Sequence, residues 1–167
     1  VGALKLEKTI KKPYSPEEME RLRGACGNIR DRALVEFLYS TGVRVSELTA
    51  LNVGDIEMGK QELVVYGKGS KERKTYLTDS AKFYLRRYLQ TRPQEDLDRQ
   101  PLFVTLDAPH NRLTVPGVQY MLRQLGRRSG VTNVHPHRFR RTIATDLLSR
   151  GMPIEQVKEF LGHEKLD

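Results

Sequence analysis

Two helical periods near the end of the chain, each opened by a proline and closed by a glycine, constrain the fold more than any other stretch. Pro136 suits the first turn of a helix, and Phe139, Ile143, Ala144, Leu147 and Leu148 recur at helical spacing until Gly151 stops it. A second, shorter helix follows, with Pro153 in its first turn, Ile154, Val157, Phe160 and Leu161 as its apolar side, and Gly162 as its end. Just off the buried face of the first helix, His137 and Arg140 are three residues apart and emerge side by side, with Arg138 and Arg141 close by. A helix N-terminus already carries partial positive charge, so basic crowding there asks for an anion, and a phosphate fits best. His163 follows Gly162 directly and sits at a turn, where a side chain with one fixed task belongs. Taken singly, each of these residues is most often a capping or solvated group. His135, His137 and His163 could also offer imidazoles to a metal, but neighbouring guanidinium groups repel a cation and Cys26 is distant in sequence, so no metal is expected.

A length of 167 residues suits one domain with a proper core. Lysine and arginine number 29 against 21 acidic residues, a net charge of +8, and the pI near 9.7 points to a polyanionic partner, nucleic acid before membrane. No apolar run is long enough to cross a bilayer and no signal-peptide pattern opens the chain. One cysteine excludes an internal disulfide framework and fits a reducing, cytoplasmic setting, with Cys26 a small packing residue. The opening Val1-Gly2-Ala3 and the basic, proline-ended stretch 8–13 read as a linker or the remnant of an N-terminal DNA-binding region over 1–13, with the domain proper at 14–167.

Ser15-Pro16-Glu17-Glu18 is a capping box that predicts a helix to about Gly24. Ile29, Ala33, Leu34, Phe37 and Leu38 mark a core helix ending at Thr41-Gly42, and Ser46 is placed to cap a third helix carrying Leu48 and Leu51 inward. Arg44 is left in the turn, with Glu47 three residues on to steady it or a neighbour. Residues 62–66 and 73–77 are β-prone runs joined by Gly67-Lys68-Gly69-Ser70-Lys71, a basic hairpin. Its G-K-G-S string lacks the spacing of a nucleotide-binding loop and opens no helix. Thr78 caps a helix striped with Ala81, Tyr84, Leu85, Tyr88 and Leu89, while 92–101 and 107–111, around Leu102-Phe103-Val104, read as surface loops. Thr114 opens a helix with Val118, Met121, Leu122 and Leu125 inside and Arg123, Arg127 and Arg128 outside. The fold class is therefore mainly α with a small antiparallel β-sheet (α+β).

Four strings, T-G-V-R-V-S-E-L at Thr41 to Leu48, G-K-G-S-K-E-R at Gly67 to Arg73, H-R-F-R-R-T-I-A-T at His137 to Thr145 and L-G-H at Leu161 to His163, stand in an order that resembles the catalytic domain of the tyrosine recombinases, the phage-integrase family related to type IB topoisomerases. The resemblance implies a DNA breaking-rejoining core that cuts and reseals one strand without metal or nucleotide cofactor, through a 3′-phosphotyrosyl link and a free 5′-hydroxyl. By that resemblance Arg44 and Arg140 grip the non-bridging oxygens, for which guanidinium forks are suited. His163 donates a third hydrogen bond, His137 exchanges the proton of the tyrosine, Lys68 protonates the leaving 5′-oxygen and Glu47 supports the site. Lys71, Arg73, Lys74, Arg138 and Arg141 are expected to contact DNA.

Two departures accompany the resemblance. Arg141 stands where many relatives carry histidine. The family's nucleophile lies about nine residues beyond the L-G-H histidine, whereas Asp167 is only four residues past His163 and no tyrosine of this sequence takes that place. The expectation is a fragment that binds and polarises a phosphate but is inactive in cis. A tyrosine donated by a partner subunit, a plain DNA-binding module and a relaxing topoisomerase stay open as alternatives. Double-stranded DNA is the expected partner, with a homo-tetramer on DNA for the full-length protein, a monomer for the isolated chain, no membrane, and a cytoplasmic, nucleoid-associated location.

Overall fold

The computed structural model describes residues 12–67, 69 and 71–162; Lys68 and His163, to which the sequence assigns roles, lie outside the described residues, as do residues 1–11. Helix α1 (Pro16–Ala25) begins at the expected capping box: Ser15 Oγ accepts the Glu18 N–H at 3.1 Å, and Glu18 Oε1 accepts the Ser15 N–H at 2.9 Å. Helix α2 (Ile29–Thr41) is capped by the Asn28 side chain and stopped by Gly42 in the left-handed region at φ 62°. It is the central helix, with Ala33, Leu34, Val35, Phe37 and Leu38 wholly buried and later helices packed on both of its flanks.

Helix α3 (Val45–Ala50) departs from the expectation at its start. Its cap position is Arg44 and not Ser46, because Glu47 reaches back to accept the Arg44 N–H at 2.7 Å. Strands β1 (Glu62–Tyr66) and β2 (Glu72–Tyr76) form an antiparallel pair in which Leu63 faces Thr75 and Val65 faces Arg73. Leu63, Val65 and Thr75 are buried, so Arg73 shares the inward face with them, and Glu62, Tyr66, Lys74 and Tyr76 are turned to solvent. Helix α4 (Asp79–Gln90) starts at the Thr78 cap and lies along α2.

The segment between α4 and α5 is more ordered than its composition suggests. A 3-10 turn at Leu97–Arg99 and two isolated β-bridges, Asn52 to Pro101 and Val104 to Arg112, hold the apolar piece Leu102, Phe103 and Val104 in the core between the two surface connections. Tyr88 stacks on Phe103 and its hydroxyl accepts the Val104 N–H, which satisfies a backbone donor that burial would otherwise strand. Helix α5 (Val115–Ser129) runs from the Thr114 cap to Gly130, and α6 (Pro136–Ser149) and α7 (Ile154–Leu161) complete the described fold. Phe139 of α6 is fully buried against the ring of Tyr14, so Phe139→Ala would cost about 3–5 kcal/mol. A second, smaller apolar cluster joins α6 to α7 through Ala144, Val157 and Leu161. No described helix is long and apolar enough to cross a membrane.

Candidate active site

The end of α7 is where the candidate residues converge. A helix C-terminus exposes carbonyl oxygens without intrahelical partners and carries partial negative charge. Three consecutive carbonyls here, those of Phe160, Leu161 and Gly162, each accept from a different arginine, and the three arginines come from three different elements. Arg73 of β2 donates Nη1 to Phe160 O at 2.6 Å. Arg140 of α6 donates Nη2 to Leu161 O at 2.8 Å, and its Nη1 donates to Gly42 O at the end of α2. Arg44, capping α3, donates Nη2 to Gly162 O at 3.0 Å.

Glu47 closes the cluster from below. It is 4 % exposed, and its Oε1 accepts both the Arg44 N–H and Arg73 Nη2, the latter at 2.6 Å. Its Oε2 lies 3.9 Å from Arg44 Nη1. Arg140 is buried, whereas the Arg44 side chain keeps 35 % of its surface. The end of α2, the start of α3, the hairpin, α6 and α7 are thus tied together by charged groups. Gly162 is what lets the arginines approach. It has φ 70°, and a Cβ built there would lie 2.7 Å from Arg73 Cδ and 2.8 Å from Arg73 Nε.

The sequence-predicted residues divide by position. Arg44, Glu47 and Arg140 are brought to one place. His137, in the first turn of α6, is exposed, and Arg141 is half-buried on the same helix. Lys71 and Lys74 are exposed on the hairpin, where Lys74 pairs loosely with Glu62 at 3.7 Å. Arg73 and Arg138, expected on the DNA surface, are instead spent on the protein. Arg138 donates to both carboxylate oxygens of Glu18 at 3.1 and 3.2 Å and to the carbonyls of Lys12, Pro13 and Thr132, with its guanidinium 4.3 Å from the Tyr14 ring centroid. Part of the demand for an anion near the start of α6 is therefore met internally by Glu18. Burial alone would raise the Glu18 carboxyl, but the Ser15 N–H and the Arg138 charge outweigh it and hold the group below its ordinary range.

Sequence reasoning missed the inward role of Arg73, for which a signal existed: residues 73, 75 and 77 alternate with 72, 74 and 76, and Thr75 and Leu77 are buried. It also missed the buried pair of Arg30 with Asp31, at 2.8 Å, and no motif marked it. Among the described residues, no group of three or more His, Cys, Asp or Glu is placed to hold a metal ion. The Cys26 thiol, its Sγ against Leu22 O, is pushed up to about 12 by burial, with Asp31 adding to the effect.

The family model described as Phage integrase family matches residues 14–167. The tyrosine recombinase XerC of Staphylococcus saprophyticus is 38 % identical over 160 residues, covering 92 % of this chain and 53 % of that protein; XerC of Staphylococcus aureus strain N315 is 36 % identical over 172 residues, covering 97 % and 56 %. The chain thus spans about half the length of the curated relatives it matches. In three dimensions it is similar to the crystal structure of XerA recombinase, with a TM-score of 0.84, 32 % identity and coverage of 94 % of this chain and 56 % of that one. It also shares its fold with the XerH site-specific recombinase bound to its difH substrate, at a TM-score of 0.75 and 20 % identity over 93 % of this chain and 48 % of that one. A domain-length family match, together with the four strings on the α2–α3 turn, the hairpin, α6 and the end of α7, places the chain in the phage integrase family of tyrosine recombinases, as a catalytic domain.

Proposed function

We propose that this chain is the phosphate-activating domain of a site-specific DNA recombinase that cleaves and rejoins duplex DNA through a 3′-phosphotyrosyl intermediate. One observation carries the reading: Arg44 and Arg140 donate to consecutive carbonyls at the end of α7, one residue before His163. Guanidinium forks held in place before substrate arrives stabilise the developing charge of a phosphorane-like transition state without reorganising. In this reading His163 adds a donor to the same oxygens, His137 takes and returns the tyrosine proton, and Lys68 delivers a proton to the leaving 5′-oxygen. Glu47 holds the arginines. Lys71, Lys74 and Arg141 remain the candidates for DNA contacts.

The partner is double-stranded DNA. XerH, whose fold this chain shares, has been seen on its substrate. The proposed organisation is a catalytic domain over 14–167 preceded by a linker, working as a homo-tetramer on DNA in full-length form near the nucleoid, with the isolated chain a monomer.

The test uses a form of the protein that carries a tyrosine about nine residues beyond His163, incubated with a nicked duplex that traps covalent protein–DNA product. Arg44→Ala or Arg140→Ala is expected to slow trapping by about 10²–10³-fold, the effect of losing one oxyanion donor. Near-normal trapping by either variant would remove it from the site. On the chain as it stands, affinity for duplex should fall steeply with salt as counterions are released. A flat salt response would count against DNA as the partner.

A further inference from the structure

We propose that Arg73 is a positioning residue that keeps Arg44 available to an anion by neutralising Glu47, and that it does not itself hold a DNA phosphate; the inference rests on the recombinase reading above. The side chain lies on the inward face of β2, opposite Val65, and is only 11 % exposed. Both terminal nitrogens are engaged at 2.6 Å, one with Phe160 O and the other with Glu47 Oε1. Its stem lies over Gly162, where a Cβ would also come within 3.4 Å of Arg44 Nη1, so the Arg73 stem and the Arg44 tip share one small space.

The consequence is electrostatic. Glu47 is the carboxylate that both guanidinium groups face, and its short charge-assisted bond goes to Arg73. Arg44 is left 3.9 Å from the other oxygen, beyond hydrogen-bonding distance, with its Nη2 on Gly162 O. Were Arg73 removed, the buried carboxylate would be short of one cation and would draw the Arg44 guanidinium into a closed pair. An arginine closed on a carboxylate is a poor ligand for a phosphate. Arg73 therefore acts on the substrate through Arg44, from a place that DNA does not reach.

The experiment is a four-way comparison by fluorescence anisotropy of a labelled duplex at low salt: the unaltered chain, Arg73→Ala, Arg44→Ala and the double variant, each checked for folding by far-UV circular dichroism. Arg73→Met, which keeps the buried stem, replaces Arg73→Ala should the latter fail to fold. Arg73→Ala is expected to weaken binding about tenfold, the size of one charge-assisted contact, and to add less than about twofold once Arg44 is already alanine. A further loss in the Arg44→Ala background, with the salt slope lower by about one, would make Arg73 a phosphate contact in its own right and overturn the proposal. Unchanged affinity in the otherwise unaltered chain would reduce Arg73 to a structural tie and overturn it equally. No duplex binding by the unaltered chain would sink the recombinase reading, and this inference with it.

Discussion

Replacing Glu47 tests whether the site is held by charge or only by the packing around it. In Glu47→Ala two donors lose their shared acceptor: the Arg44 N–H at 2.7 Å and Arg73 Nη2 at 2.6 Å. Arg73, 11 % exposed, then keeps its positive charge with no carboxylate in contact. Deleting one partner of a buried ion pair costs about 3–5 kcal/mol, a large share of the ~5–15 kcal/mol that holds a domain of this kind together. At about 2–4 °C per kcal/mol, the melting temperature should fall by about 6–20 °C. Glu47→Gln separates the two contributions, since its amide oxygen can still accept both N–H groups while the negative charge is gone, and its loss should be about half as large. The assay is urea unfolding followed by far-UV circular dichroism, with equal denaturant slopes confirming that the unfolded states are alike. A Glu47→Ala variant within about 1 kcal/mol of the unaltered chain would refute the reasoning, as would a Gln variant as unstable as the Ala one.

Three further outcomes follow from particular contacts. Gly42→Ala forces a side chain into φ 62° and sets a Cβ 2.8 Å from Ile143 Cγ2 and 2.9 Å from Leu161 Cδ2, so a loss of about 2–5 kcal/mol is expected in the same unfolding assay, and a neutral result would contradict the geometry. Lys68→Ala, in a form that carries the tyrosine, should cleave a duplex with a 5′-bridging sulfur at a near-normal rate, because that leaving group departs without a proton; no rescue would remove Lys68 from the general-acid role. The Cys26 thiol, pushed up to about 12, should react with a disulfide reagent about 10³-fold more slowly near pH 8 in the folded chain than in urea. Because folding raises this group, its contribution to stability is complete below the ordinary thiol range and is lost as pH climbs from that range through about 12, so urea midpoints should decline steadily above about pH 9. A folded-state rate equal to that in urea would show that the thiol is not shielded.

The elements were legible where local chemistry decides them. Ser15 and Glu18 close a capping box within four residues, Gly42 and Gly130 supply left-handed stops, and the apolar stripes of α4 and α5 emerge from spacing alone. Prediction failed where a specific partner, near or far in sequence, overrides the rule for a residue's type. Ser46 is a good cap by type, yet the cap falls at Arg44 because the Glu47 carboxylate is already committed to that turn. Leu102-Phe103-Val104 reads only as an apolar piece between two loops, because nothing nearby shows that Tyr88 and Leu51 will meet its backbone, at 3.2 and 2.9 Å. The site was half legible: that Arg44, Glu47 and Arg140 gather could be read from the strings, but not which of the other basic residues turn inward. Arg73 and Lys74 are neighbours of like charge, and only the pleat separates a buried tie from a solvated lysine.

Building an anion site against a helix C-terminus looks like a sign error, since the end of α7 repels phosphate by about half a charge. The arrangement resolves when the charges are summed over the cluster. Three guanidinium groups, brought by β2, α6 and the α2–α3 turn, meet one carboxylate and one helix end, leaving a surplus of about one and a half positive charges. Glu47 ties down Arg73 and faces Arg44, and Gly42 O accepts from Arg140, but only the run of carbonyls of Phe160, Leu161 and Gly162 receives all three mutually repelling arginines in one small volume. The negative helix end thus works with Glu47 to assemble a positive site, and it can contribute only while α7 is docked. Docking rests on a small apolar cluster of Ala144, Val157 and Leu161, together with the stacking of Phe160 on Tyr76 at 5.9 Å. Weakening that cluster with Val157→Ala should therefore depress DNA affinity as well as stability, although Val157 is buried and cannot touch DNA. Measured under conditions where the variant stays folded, full affinity would show that the arginines hold their places without the helix.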